Sequence, residues 1–224
     1  MIRIAIHGIT GKMGGYLFKA LQESEDITVV AGICQTVRQN FPVSLYTSLE
    51  ACLIHEDFDL LVDFSHYPAS LEVVKQAIMQ GKSVVSGTTG YKKYDGQHIR
   101  YLAEKHGVGV IISPNFSLSE GFIQYLLSCA ERYPYIYISE SHNITKKDKP
   151  SGTALFLARL MNVPMENIFA YRLPHVLAQH TIVFADDVER LEITHQTSSR
   201  DAFVKGTIEA IRLLAKEKII SIRI

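Results

Sequence analysis

Residues 2–8 read IRIAIHG, a short apolar run closed by glycine, and the period changes directly afterwards. In GKMGGYLFKALQES, Met13, Leu17 and Leu21 recur at spacing four, with Tyr16 and Ala20 beside them. That is one stripe of an amphipathic helix. The alternation then repeats. ITVVAGI, FDLLVDFS, SVVSGTTG and VGVIISPN are further apolar, β-branched runs, while SLEVVKQAIMQG and GQHIRYLAEKHG carry helical spacing and end at Gly81 and Gly107. Strands that alternate with helices of about three turns predict an α/β, Rossmann-like parallel sheet covered on both faces. Ligands of such sheets bind at the carboxyl ends of the strands.

The second half has a different rhythm. NFSLSEGFIQYLLSCAERY predicts a long helix with Phe122, Leu126, Leu127 and Ala130 on one face, and YIYISES predicts a strand. GTALFLARLMN predicts a helix, with Ser151 as its N-cap and Pro150 before it. IFAYRL, HTIVFADD and VERLEITHQTS then follow as strands without helices between them, which predicts a mixed or antiparallel sheet in a second α+β domain. DAFVKGTIEAIRLLAKEK closes the chain as an amphipathic helix, with Phe203, Ile208, Ile211 and Leu214 or Ala215 on one side. These changes place a domain boundary near Pro114. Residues 1–114 form a dinucleotide-binding domain on which a C-terminal helix, 201–224, packs back, and 115–200 form the second domain.

Composition narrows the function classes. Among 224 residues, 47% are hydrophobic and 21% charged, ordinary for a chain with a real core. Lys plus Arg equals Asp plus Glu at 23 each, so no global field favours nucleic acid or a membrane surface. Three cysteines without a CxxC pair fit a reducing, cytoplasmic setting, and the start MIRIAIHG does not read as a signal peptide. No apolar run reaches the length of a membrane span. The histidines show no metal-ligand spacing, so no metal is expected.

Two stretches carry chemistry. The first is HGITGKMGG, where Gly8, Gly11 and Gly14 stand between a strand and a helix. Glycines allow a tight turn and close approach of a pyrophosphate, which the N–H groups of the helix start can hold. A tight turn with a closely packed helix is the plainer reading; the strand–turn–helix order favours the dinucleotide. The second strand ends in Cys34 and Gln35, without the carboxylate that grips the ribose of NAD, and Arg38 follows. NADPH is therefore expected to serve at least as well as NADH. Phe64 and Ser65 end the third strand, and Gly87, Thr88, Thr89 and Gly90 end the fourth; each also reads as a capped turn. Asp63 reads as a local cap.

The second stretch is ESHNITKKDKPSGTAL, residues 140–155. It sets a histidine and three lysines before Pro-Ser-Gly-Thr at a helix start. A helix N-terminus offers unpaired N–H groups and about half a positive charge to an anion. Ser151, Gly152 and Thr153 make a small, donor-rich seat for a carboxylate, and Lys146 lies on the same loop. Alone, His142 reads as a surface histidine and His195 as a sheet histidine; Lys147 and Lys149 read as solvated.

Taken in order, GITGKMG, VDFS, SGTTGY, PNFS, ESHNITKKDKPSGTAL and ERLEITHQTSSRDAFVKG cover most of the chain, and together they resemble the dihydrodipicolinate (4-hydroxy-tetrahydrodipicolinate) reductase family. The resemblance implies NADH- or NADPH-dependent reduction of a cyclic, dicarboxylated imine-type substrate with loss of water, in the diaminopimelate and lysine pathway. It implies a cytoplasmic homotetramer built through the second domain's sheet. It implies acid–base roles for His142 and Lys146, and substrate contacts for Asn143, Ser151, Gly152 and Thr153. Cofactor contacts are implied for Gly8, Gly11, Lys12, Met13, Gly14, Arg38, Phe64, Gly87, Thr88, Thr89, Pro114, Asn115 and Phe116. Three features depart from the pattern: Asn143 stands where a second histidine is usual, the connection near residues 172–180 is short, and no carboxylate follows the second strand. Another dehydrogenase of a small dicarboxylic acid, or a nucleotide-sensing module without catalysis, is the alternative.

Overall fold

The computed structural model describes residues 1–37 and 39–224. It divides into two units, residues 1–116 with 203–224, and residues 117–202. Along the chain the first unit contains β1 (Ile2–His7), α1 (Lys12–Leu21), β2 (Ile27–Ile33), β3 (Ser44–Tyr46), α2 (Leu49–His55), β4 (Leu60–Asp63), α3 (Ala69–Met79), β5 (Ser83–Ser86), α4 (Lys93–His106) and β6 (Val110–Ile112). The second contains α5 (Glu120–Arg132), β7 (Tyr135–Asn143), α6 (Gly152–Leu160), a 3-10 turn (Met165–Asn167), β8 (Ile168–Leu173), β9 (Ala178–Ala185) and β10 (Arg190–Thr197). The chain closes with α7 (Asp201–Lys216) and β11 (Ile220–Ile222).

The first sheet runs β11-β6-β5-β4-β1-β2-β3, and every pairing is parallel. Both faces are covered, which is why its strands are almost continuously apolar. Ile4, Ile6, Leu60 and Val62 meet Leu17 and Leu21 of α1 and Ile211 and Leu214 of α7 on one face. Ala5, Leu61 and Val84 meet Val74, Ile78, Ile99 and Leu102 of α3 and α4 on the other. Truncating a fully buried side chain such as Leu17 to Ala costs about 2–5 kcal/mol. The order of the strands reverses between β1 and β4, so their carboxyl ends diverge into a crevice.

The second sheet runs β10-β9-β7-β8, with β7 parallel to β8 and antiparallel to β9. One face packs on α5 and α6 through Ile136, Ile138, Ile182, Phe184, Ile123, Leu126 and Leu157. The opposite face leaves Tyr135, Tyr137, Phe169, Tyr171 and Leu173 exposed. The α/β class and the mixed second sheet follow the pattern of the sequence. Several details differ. The C-terminal segment 201–224 is not one helix: α7 ends at Lys216 and β11 adds a strand beside β6. The core stripe of α5 is Ile123, Leu126 and Cys129, with Phe122, Leu127 and Ala130 only partly buried. Around residues 172–180 the short connection is the turn Pro174–Leu177, and Gln179 and His180 lie inside β9.

Candidate active site

The crevice at the strand ends of the first unit holds a cavity of about 690 Å³. Its walls include Gly8, Gly11, Lys12, Met13, Phe64, Gly87, Thr88 and Thr89, with Cys34, Gln35 and Thr36 after β2. The turn that opens it has no room for side chains. Gly8 has φ +80°, and a Cβ there would lie 2.5 Å from the Phe64 carbonyl oxygen. A Cβ on Gly14 would collide with the Gly8 carbonyl, and one on Gly87 with the Phe64 ring. The N-cap of α1 is Gly11 and no side chain caps it, so its first turn presents backbone amides. A glycine-walled crevice facing an uncapped helix start fits a dinucleotide pyrophosphate.

Asp63 organises this end of the sheet. It is fully buried and accepts hydrogen bonds from His7 Nδ1 (2.9 Å), the Ser65 amide (3.2 Å) and hydroxyl (2.7 Å), the Ser86 hydroxyl (2.7 Å), the Thr88 hydroxyl (2.8 Å) and Ser70. Burial pushes its carboxyl up, but the bond and charge of His7 and the hydroxyl donors outweigh that and hold it at about 2. The residue ties β1, β4, β5 and α3 together, the cap-like role that a strand-end acid suggests. Pro114, Asn115 and Phe116 do not line the cavity. Asn115 is buried, its carbonyl accepting from the Ser113 hydroxyl (3.1 Å), and Phe116 meets Phe64 edge-on at 6.2 Å. Arg38 lies outside the described residues.

The second unit gathers a polar cluster where β7 ends. Its centre is Glu140, fully buried. It accepts from His142 Nδ1 (2.5 Å), the Ser151 amide (3.0 Å) and Arg172 Nη1 (3.0 and 3.1 Å). Burial pushes the Glu140 carboxyl up, and the His142 and Arg172 contacts with the Ser151 amide more than offset it, so it stays below the usual range. The Ser151 hydroxyl caps α6 by accepting from the Ala154 amide (3.2 Å) and lies 3.1 Å from His180 Nε2. Burial, with the charge of His142, pushes His180 down to about 3, so its ring is neutral.

Lys146 pairs with Asp148 Oδ1 at 2.8 Å, and the Gly152 amide points at Asp148 Oδ2 at 3.4 Å. Asp148 thus sets its carboxylate across the ammonium and the helix-start amide that were expected to share a substrate carboxylate. The Ser151 amide donates to Glu140 (3.0 Å), while the Gly152 amide faces Asp148 beside Lys146. The Asn143 carboxamide oxygen holds the loop turn, accepting from the Thr145 amide (3.1 Å) and hydroxyl (2.9 Å).

Two family models divide the chain between them. The dihydrodipicolinate reductase N-terminal model matches residues 2–116, and the C-terminal model of the same family matches residues 116–223. The chain belongs to the dihydrodipicolinate reductase family. A 4-hydroxy-tetrahydrodipicolinate reductase of Methanocaldococcus jannaschii is 32% identical, covering 97% of this chain and 94% of the relative. That of Methanothermobacter thermautotrophicus is 31% identical over 96% of this chain and 93% of its own. The alignment with the former spans 258 positions, more than the 224 residues here, so that relative carries stretches this family member lacks. Among solved structures, a dipicolinate-bound dihydrodipicolinate reductase from Paenisporosarcina sp. TG-14 superposes with a TM-score of 0.79 at 24% identity, over 99% of this chain and 97% of the other. An NAD-bound GenD2 superposes at 0.70 with 12% identity, over 97% of this chain and 86% of its own, a shared fold.

For a reductase of this family, sequence reasoning missed Glu140, Arg172 and His180. A signal for the first was present. In YIYISESHN, alternate positions Ile136 and Ile138 face inward, and the same period carries Glu140 and His142 onto that face. A carboxylate and an imidazole at core positions mark a buried polar pair. Arg172 and His180 reach them only through sheet register, as partners of His142 and Glu140 on the two neighbouring strands.

Proposed function

We propose that this protein catalyses the NAD(P)H-dependent reduction of 4-hydroxy-tetrahydrodipicolinate to tetrahydrodipicolinate, with loss of water, in diaminopimelate and lysine biosynthesis. The observation that carries the reading is the Lys146–Asp148–Gly152 arrangement, an ammonium and a helix-start amide spaced for one carboxylate, inside a chain matched along residues 2–223 by the two family models. The work divides between the units. The first, residues 1–114 with the C-terminal segment 201–224, binds the nucleotide through Gly8, Gly11, Lys12, Met13 and the Gly87–Thr89 turn. When bound, that nucleotide supplies a hydride. The second, residues 115–200, binds the diacid.

Adding a hydride to the ring's conjugated C=C–C=N system leaves negative charge that one proton must quench. In its charged form His142 carries that proton on Nε2, since Nδ1 is held by Glu140. Lys146 neutralises a substrate carboxylate once that group displaces Asp148, and serves as the alternative donor. Gly152 and Thr153 orient the same carboxylate. The small-molecule substrate is therefore a dianion met by local positive charge in a chain of zero net charge. The exposed row Tyr135, Tyr137, Phe169, Tyr171 and Leu173 is the surface through which we propose the chain assembles as a homotetramer. Among the described residues no helix is long and apolar enough to cross a membrane. Cys34, Cys52 and Cys129 are buried thiols outside any disulfide, which supports the cytoplasmic setting we propose.

The test couples the protein to a synthase supplied with pyruvate and aspartate semialdehyde and follows NADPH absorbance. Turnover that requires all components is the expected result. Absence of turnover with active synthase contradicts the reading.

A further inference from the structure

We propose that Glu140 and Arg172 are positioning residues for this reaction: one buried ion pair fixes which nitrogen of His142 exchanges a proton and anchors the backbone that carries Lys146. The inference rests on the reductase reading above for its kinetic consequences, but its geometry stands independently.

Glu140 is ionised and can only accept. Its oxygens already receive Arg172 Nη1 and the Ser151 amide, so the 2.5 Å contact with His142 must be an Nδ1–H donated to the carboxylate. The tautomer is thereby set. Proton exchange falls to Nε2, and a charged ring that gives up that proton relaxes to a neutral form still bonded to Glu140. No ring flip intervenes between turnovers.

Arg172 does the corresponding work on the loop. Its guanidinium is a planar fork that can satisfy several acceptors at once, which a lysine cannot. Nη1 takes Glu140, Nε reaches the Lys146 carbonyl (3.3 Å) and Nη2 reaches the Asp148 carbonyl (2.5 Å). Those carbonyls belong to the two residues whose side chains form the ammonium–carboxylate pair. Thus one guanidinium couples the His142 dyad to the placement of Lys146. Among the described residues, His180 on β9 stands edge-on to the His142 ring at 5.2 Å and is neutral down to about 3, and the charges that act on His180 besides His142 and Glu140 are His195 and Lys146. Glu140 is the carboxylate that touches the imidazole.

The experiment measures kcat/KM against pH for wild type and Glu140→Gln, with NADPH affinity followed by fluorescence titration. The expected result is a kcat lower by ~10²-fold or more. The pH profile of kcat/KM changes shape, because the carboxylate that fixes the ring's proton has gone. NADPH affinity stays within about twofold, and Glu140→Asp restores the wild-type profile. A kcat within threefold of wild type, or an unchanged profile, overturns the proposal. Where Glu140→Gln does not fold, ¹⁵N chemical shifts of His142 in the wild-type protein decide the matter. The Nδ1–H tautomer supports the proposal and the Nε2–H tautomer overturns it. A wild type that folds but does not turn over the substrate counts against the functional reading, while the tautomer measurement still judges the ion pair.

Discussion

On the function proposed above, the nucleotide cavity and the polar cluster solve the same problem, holding an anion, with opposite materials. The cavity is made of backbone. Its turn excludes side chains at Gly8, Gly14 and Gly87, and its buried carboxylate, Asp63, braces strand ends. The cluster is made of side chains. Glu140, His142, Arg172, Lys146 and Asp148 form one charged network against a helix start. A backbone site is sensitive to added volume and tolerant of charge changes. A network of ion pairs is sensitive to each charge, because removing one partner leaves another buried without compensation.

Substitutions should separate the two regions. Lys146→Ala should lower kcat by ~10²-fold or more while leaving NADPH affinity nearly unchanged, read by steady-state kinetics and cofactor titration. Loss of both would mean the regions are not independent. Gly14→Ala should do the converse. Its Cβ meets the Gly8 carbonyl, and over-packing on the order of 1–3 kcal/mol should weaken NADPH binding about tenfold or more, with kcat near wild type at saturating cofactor.

A third prediction concerns stability. The folded value of His180, about 3, lies below the unfolded 6.5, so its contribution is present above pH 6.5 and is lost as pH falls toward 3. Denaturant unfolding should show wild type losing on the order of a few kcal/mol across that window, and His180→Gln should flatten the loss. An unchanged slope would place the titration elsewhere. The smallest effect is cofactor choice. Cys34, Gln35 and Thr36 supply no carboxylate for the ribose, so kcat/KM for NADPH should equal or exceed that for NADH. A preference for NADH above about tenfold would contradict it.

The two regions also differ in how far the sequence exposes them. Cavity residues are contiguous in strand–turn–helix runs, so Gly8, Gly11, Gly14 and Gly87 could be read from the sequence pattern, while Lys12 and Met13 came with the family resemblance. The cluster is legible only along its one continuous stretch, residues 140–155. Arg172 and His180 lie far along the chain and meet Glu140 because β8 and β9 flank β7, a fact of register that linear spacing does not carry. Elements were missed for a similar reason. β3 and β11 have three residues each, too few to show a period, and α2 has seven. Their places come from the neighbouring strands β2 and β6 and from the core around Leu49 and Cys52. A helix start normally leaves its first amides open, and spacing alone does not show that Glu140 takes the Ser151 amide.

The account turns on whether a side-chain network seats the diacid. A crystal structure with NADPH and pyridine-2,6-dicarboxylate addresses this directly. It should show one carboxylate on the Gly152 and Thr153 amides, with Lys146 Nζ released from Asp148 and bonded to the ligand. A diacid bound elsewhere, with Lys146 still paired to Asp148, would contradict the account.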